Sequence, residues 1–400
     1  MKRVILAYSG GLDTSAALHW LKHERNYKVS TFYANVGQHD DVEAITDRAL
    51  SIGADGVFVE DLRKVFIEKY CMRALMANAE RYDGSILAGA LSRPLITYEL
   101  VKRASHEGCE AIAHGGTLGG NDTIRFEIAA AALAPELQVI APHGEWPMKK
   151  REDLFEYTDR HGIEIPRRDV SEIITADQNL WGASFECVSD SHCLRTAGNN
   201  AFFITTSLEE APSQPATIKI GFNEGLPVSL DGEDMSPLDM VNTLNELGAA
   251  HSIGRGSGIE NRLIGDKVLK FHEHPAAAIL FAGHRAMEDA TISKSVMWLS
   301  RQLSNNYAEL VFNGLWFSDL REALDAFFRQ TQKYVTGSCT VQIHKGKIRL
   351  VELESPYSLL TATGAASEKD KEYYRQATSG YSEVIAHNLR LEAKRRKRIF

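Results

Sequence analysis

The sequence predicts an α/β protein: a parallel sheet covered by helices, then an α+β domain, then a terminal helix. Three observations carry that prediction. As far as Ala141, short β-rich runs alternate with helical patterns, which is the signature of parallel strands joined by crossover helices. Farther along, strands and helices follow one another in mixed order. The chain then closes on a polar connection and one amphipathic helix. The expected domains are residues 1–168, 169–362 and 363–400.

Val4–Tyr8 reads as a buried strand and Ser15–His23 as the helix that follows it across a glycine loop. Val29–Val36 is a second strand. Asp40–Ile52 opens on two acids and stops at Gly53, so the dipole and the left-handed cap both favour a helix there. Val57–Val59, Ala111–His114 and Val139–Ala141 are further strands, with a helix over Pro94–Ala104 between them. Arg151–His161 is a helix with acids near its start. Ser184–Pro215 reads as an irregular polar stretch containing Ser189-Asp190-Ser191-His192 and Gly198-Asn199-Asn200. Thr217–Phe222, Val268–Phe271, Thr340–His344 and Ile348–Leu353 are strands, mixed with helices over Leu238–Leu247 and Ile292–Tyr307. The last helix, Ser382–Arg398, carries Val384, Ile385, Leu389 and Leu391, a stripe suited to docking on a neighbouring subunit or on its own domain.

At 400 residues and 44% hydrophobic composition the chain can bury a large core. Its net charge of −8 argues against bulk nucleic-acid binding, which needs a basic excess. The basic run Lys394–Arg398 suits the negative end of a helix dipole, the alternative being an acidic partner. Cys71, Cys109, Cys187, Cys193 and Cys339 form no CxxC pair, so neither a zinc ribbon nor a disulfide scaffold is expected. No segment approaches the ~18–20 apolar residues of a membrane span. Residues 3–8 lack the regions of a signal peptide, so a soluble cytoplasmic protein is expected.

The chemistry begins at Ser9-Gly10-Gly11-Leu12-Asp13-Thr14-Ser15. A Gly-Gly pair between strand and helix lets backbone N–H groups converge on an anion, while flanking hydroxyls and the helix N-terminus add to the attraction. In a parallel sheet that loop falls beyond the carboxyl ends of the strands, where ligands bind. It lacks the lysine of a Walker A sequence and resembles the PP-loop of the Rossmann-like N-type ATP pyrophosphatases. That resemblance implies ATP, with pyrophosphate leaving and chemistry at the α-phosphorus. Asp13 would anchor Mg²⁺ or its waters, since a hard cation wants carboxylate and phosphate oxygens.

Ala34-Asn35-Val36-Gly37-Gln38, Arg93-Pro94-Leu95-Ile96, Ala113-His114-Gly115, Asn121-Asp122-Thr123-Ile124-Arg125-Phe126-Glu127, Asn179-Leu180-Trp181-Gly182 and Glu260-Asn261-Arg262-Leu263-Ile264-Gly265 follow in order. With Gly314–Ser318 and Glu354–Leu359 they make the chain similar to the argininosuccinate synthase family along nearly its whole length. The family activates the ureido oxygen of citrulline with ATP and lets the aspartate amine displace AMP. The resemblance implies nucleotide contacts at Ala7, Tyr8, Ser9, Gly10, Gly11, Leu12, Asp13, Thr14, Ser15, Ala34 and Gly115. It implies aspartate contacts at Thr117, Asn121 and Asp122, with Asp13, Asp122 and Arg125 as catalytic residues. It also implies a homotetramer in which the C-terminal helix crosses to another subunit.

The acceptor positions depart from the family. Asn121, Arg125, Ser184 and Glu260 match, but Ile86 stands for a tyrosine, Ala90 for a Thr-Ser pair and His272 for a second tyrosine. His272 could touch substrate, act as an acid or base near neutral pH, or simply pack at the pocket edge. Lost hydroxyls suggest an acceptor other than citrulline, since each contact carries on the order of 1–3 kcal/mol. A tRNA-modifying relative would need a cysteine pair and a basic surface. A nucleotide-binding pseudoenzyme would be expected to lose the phosphate loop or Asp122, and both are intact.

Overall fold

The computed structural model describes residues 2–165, 173–187, 202–360 and 368–397. The expected boundaries at 168/169 and 362/363, the stretches Ser189–His192 and Gly198–Asn200, Cys193, Arg398 and the Cys187 side chain lie outside the described residues.

β1 (Arg3–Ala7) buries Val4, Ile5 and Leu6 completely, as a strand covered on both faces must. It is the centre of a five-stranded parallel sheet with β2 (Lys28–Asn35), β3 (Gly56–Asp61), β4 (Ala111–His114) and β5 (Gln138–Ile140), in the order β3-β2-β1-β4-β5. Val4 and Leu6 pack with Leu18 and Leu21 of α1 (Leu12–His23) and Ile45 of α2 (Val42–Ile52). Ile5 and Ile112 share the other cluster, joined by the π turn Phe66–Cys71, which follows the exposed α3 (Arg63–Val65), and by α4 (Met72–Met76), α5 (Ala88–His106) and α6 (Asn121–Leu133). The caps on α2 are those the sequence promises: Asp41 accepts from the Ala44 amide and Gly53 adopts φ +106°. The order reverses beside β1, so a crevice opens between the carboxyl ends of β1 and β4. α7 (Pro142–Glu145) and α8 (Arg151–Arg160) follow β5.

The remaining described residues of the Met1–Ser358 unit build two antiparallel sheets. One has the order β11-β12-β7-β6, from β6 (Ile173–Asn179), β7 (Gly182–Cys187), β11 (Arg255–Asn261) and β12 (Lys267–Glu273). The other has the order β10-β9-β8-β13-β14, from β8 (Ala216–Asn223), β9 (Leu226–Leu230), β10 (Glu233–Asp234), β13 (Gly337–His344) and β14 (Lys347–Glu354). The accompanying helices are α9 (Pro237–Ala250), α10 (Pro275–Thr291), α11 (Lys294–Phe312) and α12 (Asp319–Thr331). Among its described residues the Leu359–Phe400 unit contains one helix, α13 (Glu368–Lys397), with internal ion pairs such as Arg390–Glu383.

Several expectations need correction. Ser184 lies within β7, not in an irregular stretch, because β6 and β12 satisfy the polar backbone on both sides. α5 begins six residues before Pro94, which sits inside the helix and forfeits only one backbone hydrogen bond. α1 begins at Leu12, so the second half of the phosphate loop is helical. The expected helix from Ile292 starts at Lys294, and the terminal helix is longer than expected.

Candidate active site

The loop after β1 is drawn tight by its own side chains. Tyr8 and Ser15 hydroxyls lie 3.1 Å apart and Ser9 and Thr14 hydroxyls 3.2 Å apart, while the Gly11 amide donates to Ser9 Oγ at 3.4 Å. Gly10 holds φ +73°, and a Cβ there would lie 2.8 Å from Ile45 Cγ1, so glycine is required twice over. Arg48 from α2 donates to the Gly10 carbonyl at 2.6 Å, and Gly11 begins α1 without a side-chain cap. Leu12 and Ser15 are buried and brace the turn. The open helix start, Ser9 and the third-exposed Asp13 carboxylate are the groups left to meet a ligand. Asp13 Oδ1 is held 2.9 Å from Nε2 of His143, on α7.

Ala7 ends β1, Ala34 is the next-to-last residue of β2, and Ala7 pairs in register with His114 of β4. Just beyond, a Cβ on Gly115 would come within 2.6 Å of Thr14 Cγ2, so glycine lets the end of β4 lie against the start of α1. Thr117, exposed in the following turn, accepts from the Gly120 amide and from Thr123 Oγ1 through its carbonyl.

Asp122, in the first turn of α6, is the hub of the next cluster. Its two oxygens accept from Arg93 at 2.8 Å and Arg125 at 2.9 Å, and Arg93 also pairs with Asp177 of β6 at 2.9 Å. Desolvation pushes the Asp122 carboxyl upward, but the two guanidinium groups outweigh it and hold the group far below the usual carboxylate range. Desolvation opposes the charge on Arg93 as well, and Asp122 and Asp177 more than restore it. Arg125 is buried against the Phe312 ring and donates through Nε to the Phe312 carbonyl. Asn121 uses both ends of its amide inside the protein, donating to Glu260 at 3.0 Å and accepting from the Leu263 amide at 2.9 Å.

Glu260, on β11, is buried and faces the Lys270 ammonium at 3.4 Å. Lys270 and His272 belong to β12, where His272 pairs with Ser184 of β7. Asp83, Ser85, Ser184, Gly258, Lys270 and His272 line a narrow cleft. Burial lowers the His272 pKa, with Asp83 acting in the other direction, and the ring stacks on His274 at 4.7 Å. Ile86 and Ala90 do not line that cleft. Both are buried in the apolar cluster that includes Leu91 and Leu95, because Leu87 at φ +66° turns the chain inward at the start of α5. The polar side chains this segment offers to the cleft are Asp83 and Ser85.

Sequence reasoning therefore missed Arg93, Asp177, His143, Asp83, Ser85 and Lys270 as site neighbours. Arg93 lay inside a motif and could have been read as the partner of Asp122. The others carry no local signal, since strands and loops far apart in sequence bring them together.

The chain matches the family models "Arginosuccinate synthase N-terminal HUP domain" over residues 3–164 and "Arginosuccinate synthase C-terminal domain" over residues 174–392. It is 41% identical to the argininosuccinate synthase of Pelodictyon phaeoclathratiforme over 97% of each chain, and 42% identical to that of Chlorobium limicola over 95% of each. The enzyme of Desulforamulus reducens is 39% identical over 100% of this chain and 99% of its own. The chain belongs to the argininosuccinate synthase family.

Proposed function

We propose that this chain is an ATP-dependent carbon–nitrogen ligase that joins L-aspartate to citrulline or a closely similar ureido acceptor, forming AMP and pyrophosphate. The observation that carries the reading is the Arg93–Asp122–Arg125 hub beside the phosphate loop, in a chain of this family. The loop amides take the β- and γ-phosphates. A ureido carbon is a poor electrophile because its nitrogens donate into the carbonyl. Attack of the ureido oxygen on the α-phosphorus forms one O–P bond and breaks the bond to pyrophosphate. The aspartate amine then adds to the ureido carbon, the C–O bond to AMP breaks, and the amine loses its proton to solvent. Holding the two substrates side by side supplies the proximity this step needs.

Thr117, Asn121 and Asp122 are assigned to aspartate, with Asp122 ionised to meet its ammonium. Asn121 in its present bonds positions Glu260 and the turn at Leu263. Arg125, Ser184, Glu260 and His272 are assigned to the acceptor, together with Ser85, whose hydroxyl lines the cleft that Ile86 leaves. Mg²⁺ fits the donor set: Asp13 offers one hard carboxylate beside Ser9 and Thr14, and Mg²⁺ bound to nucleotide phosphates needs few protein ligands. It would neutralise phosphate charge there.

The test is release of pyrophosphate by the purified chain with ATP, aspartate and citrulline, beside parallel arms with other ureido compounds. Turnover with citrulline at ordinary efficiency supports the reading; turnover only with another acceptor, or none, sinks the citrulline assignment. We also assign a homotetramer joined through α13, checked by the mass in light scattering. Among the described residues no helix is long and apolar enough to cross a membrane.

A further inference from the structure

His114 closes β4 and stands in register with Ala7, the last residue of β1 and two positions ahead of Ser9 of the phosphate loop. Its side chain belongs to a residue only 1% exposed, and the ring lies nearly parallel to Phe126 at 5.0 Å. The Gly116 backbone N–H donates to Nδ1 at 3.1 Å. A nitrogen that accepts a hydrogen bond carries no proton, so the neutral ring must hold its proton on Nε2. Burial supports that neutral form, pushing the pKa down to about 4, and His143 acts in the same direction while Asp122 opposes. Yet Nε2 is buried and has no hydrogen-bond partner. A buried donor left unmade costs about 1–3 kcal/mol and is rare enough in native proteins to require a reason.

The surroundings supply one. Asp122 and His143 are both near enough for their charges to act on the ring. Asp122 belongs to the half of the crevice assigned to aspartate, and His143 holds Asp13 in the half assigned to the nucleotide. Behind the ring, Cβ atoms on Gly115 and Gly116 would lie 2.6 Å from Thr14 Cγ2 and 2.5 Å from Thr123 Oγ1, so the backbone is clamped between α1 and α6. With β- and γ-phosphates at the loop and aspartate at Asp122, the group between them is the α-phosphate.

We propose that His114 is a catalytic residue whose Nε2–H donates a hydrogen bond to a non-bridging oxygen of the nucleotide α-phosphate. This rests on the functional reading above. No proton is transferred: the N–H meets negative charge on the phosphoryl oxygens while the ureido oxygen bonds and pyrophosphate leaves. A donor already fixed in place is worth most where charge develops.

The test uses the full-length chain labelled with ¹⁵N-histidine, with the His114 signal assigned by its loss in His114→Gln. AMP and ATP should move the Nε2–H proton downfield, while pyrophosphate alone and aspartate alone leave it in place. In ATP–pyrophosphate exchange with citrulline present as the acceptor that takes the adenylyl group, His114→Phe should lose about 100-fold, whereas His114→Gln, which keeps an N–H at that position, should lose no more than about 10-fold. His114→Phe removes an unpaired donor but also leaves the Gly116 N–H without its acceptor, so it should melt lower than the native chain and is assayed below that temperature. The response of the native resonance to AMP is the readout a purely structural histidine does not give. A resonance indifferent to AMP, or exchange by His114→Phe within roughly threefold of native, overturns the proposal. If His114→Phe fails to fold, the resonance decides alone. Absence of exchange in the native chain overturns the ligase reading itself, and the response to AMP separates that failure from failure of the donor.

Discussion

At Asp122 one carboxylate accepts from two guanidinium groups, and each of those is tied elsewhere, Arg93 to Asp177 and Arg125 to Phe312. The carboxylate is thus ionised, aimed and unable to swing away. Asp122→Asn keeps the shape but removes the charge that both arginines neutralise and that an ammonium would seek. Charge-assisted bonds are roughly twice as strong as neutral ones. We expect kcat/KM for aspartate to fall by about 100-fold or more, with KM for ATP within about threefold, in steady-state assays. A loss confined to ATP would move Asp122 out of the aspartate site. Gly115 offers a second residue-level test. In Gly115→Ala the new Cβ meets buried Thr14 at 2.6 Å, so the start of α1 must shift. Overpacking of this kind costs about 1–3 kcal/mol. A lowered Tm together with weakened ATP binding in calorimetry is the expected pair, and weakened binding without the first would point to a direct contact instead.

At the scale of elements, β12 is fixed by one buried carboxylate. Glu273 accepts from the amides of Phe203, Ile204 and Thr205 and from Thr205 Oγ1, and Arg255 of β11 adds bonds to Thr205. These ties seat the sheet that carries Glu260, Lys270, His272 and Ser184. Glu273→Gln turns an acceptor into a donor facing other donors, and we expect about 2–4 kcal/mol of stability lost by urea titration. The acceptor KM should rise more than that for ATP, because the phosphate loop lies on another sheet. The two sheets also differ in how much of them the sequence reveals. β1, α1, β2 and α2 announce themselves through apolar runs, a glycine pair and caps, all of which act within a few residues. β7 does not, because Ser184 becomes a strand residue only once β6 and β12 flank it. α6 is hidden for a similar reason. Asn121-Asp122 after two glycines has turn chemistry, and the burial of Phe126, Ala129 and Ala130 overrides it. The site divides along the same line: the loop and Asp122 are legible, whereas Asp177, His143 and Asp83 arrive from distant positions. Ile86 misleads because a one-residue shift in the turn before α5 decides whether it or Ser85 faces the cleft.

Across the whole molecule the buried histidines set a pH limit on the fold that differs from the one set by its carboxylates. Burial depresses His114, His272 and His274, His114 to about 4 from an ordinary 6.5. Between those values the unfolded chain binds protons that the native chain refuses, so stability falls as pH falls through that window and is fully present above it. For His114 alone the shift corresponds to about 3 kcal/mol once pH reaches 4. Asp122 adds a loss of its own at lower pH, because its native pKa is depressed and the unfolded carboxyl protonates first. Urea midpoints should therefore change little from pH 8 to 7 and then fall steadily towards pH 5, well before most carboxylates titrate. His114→Phe should flatten part of that fall. A midpoint unchanged from pH 7 to 5 would mean these rings are protonated in the native state. The neutral Nε2–H form of His114 would then be wrong, and with it the match between an unpaired donor and the α-phosphate.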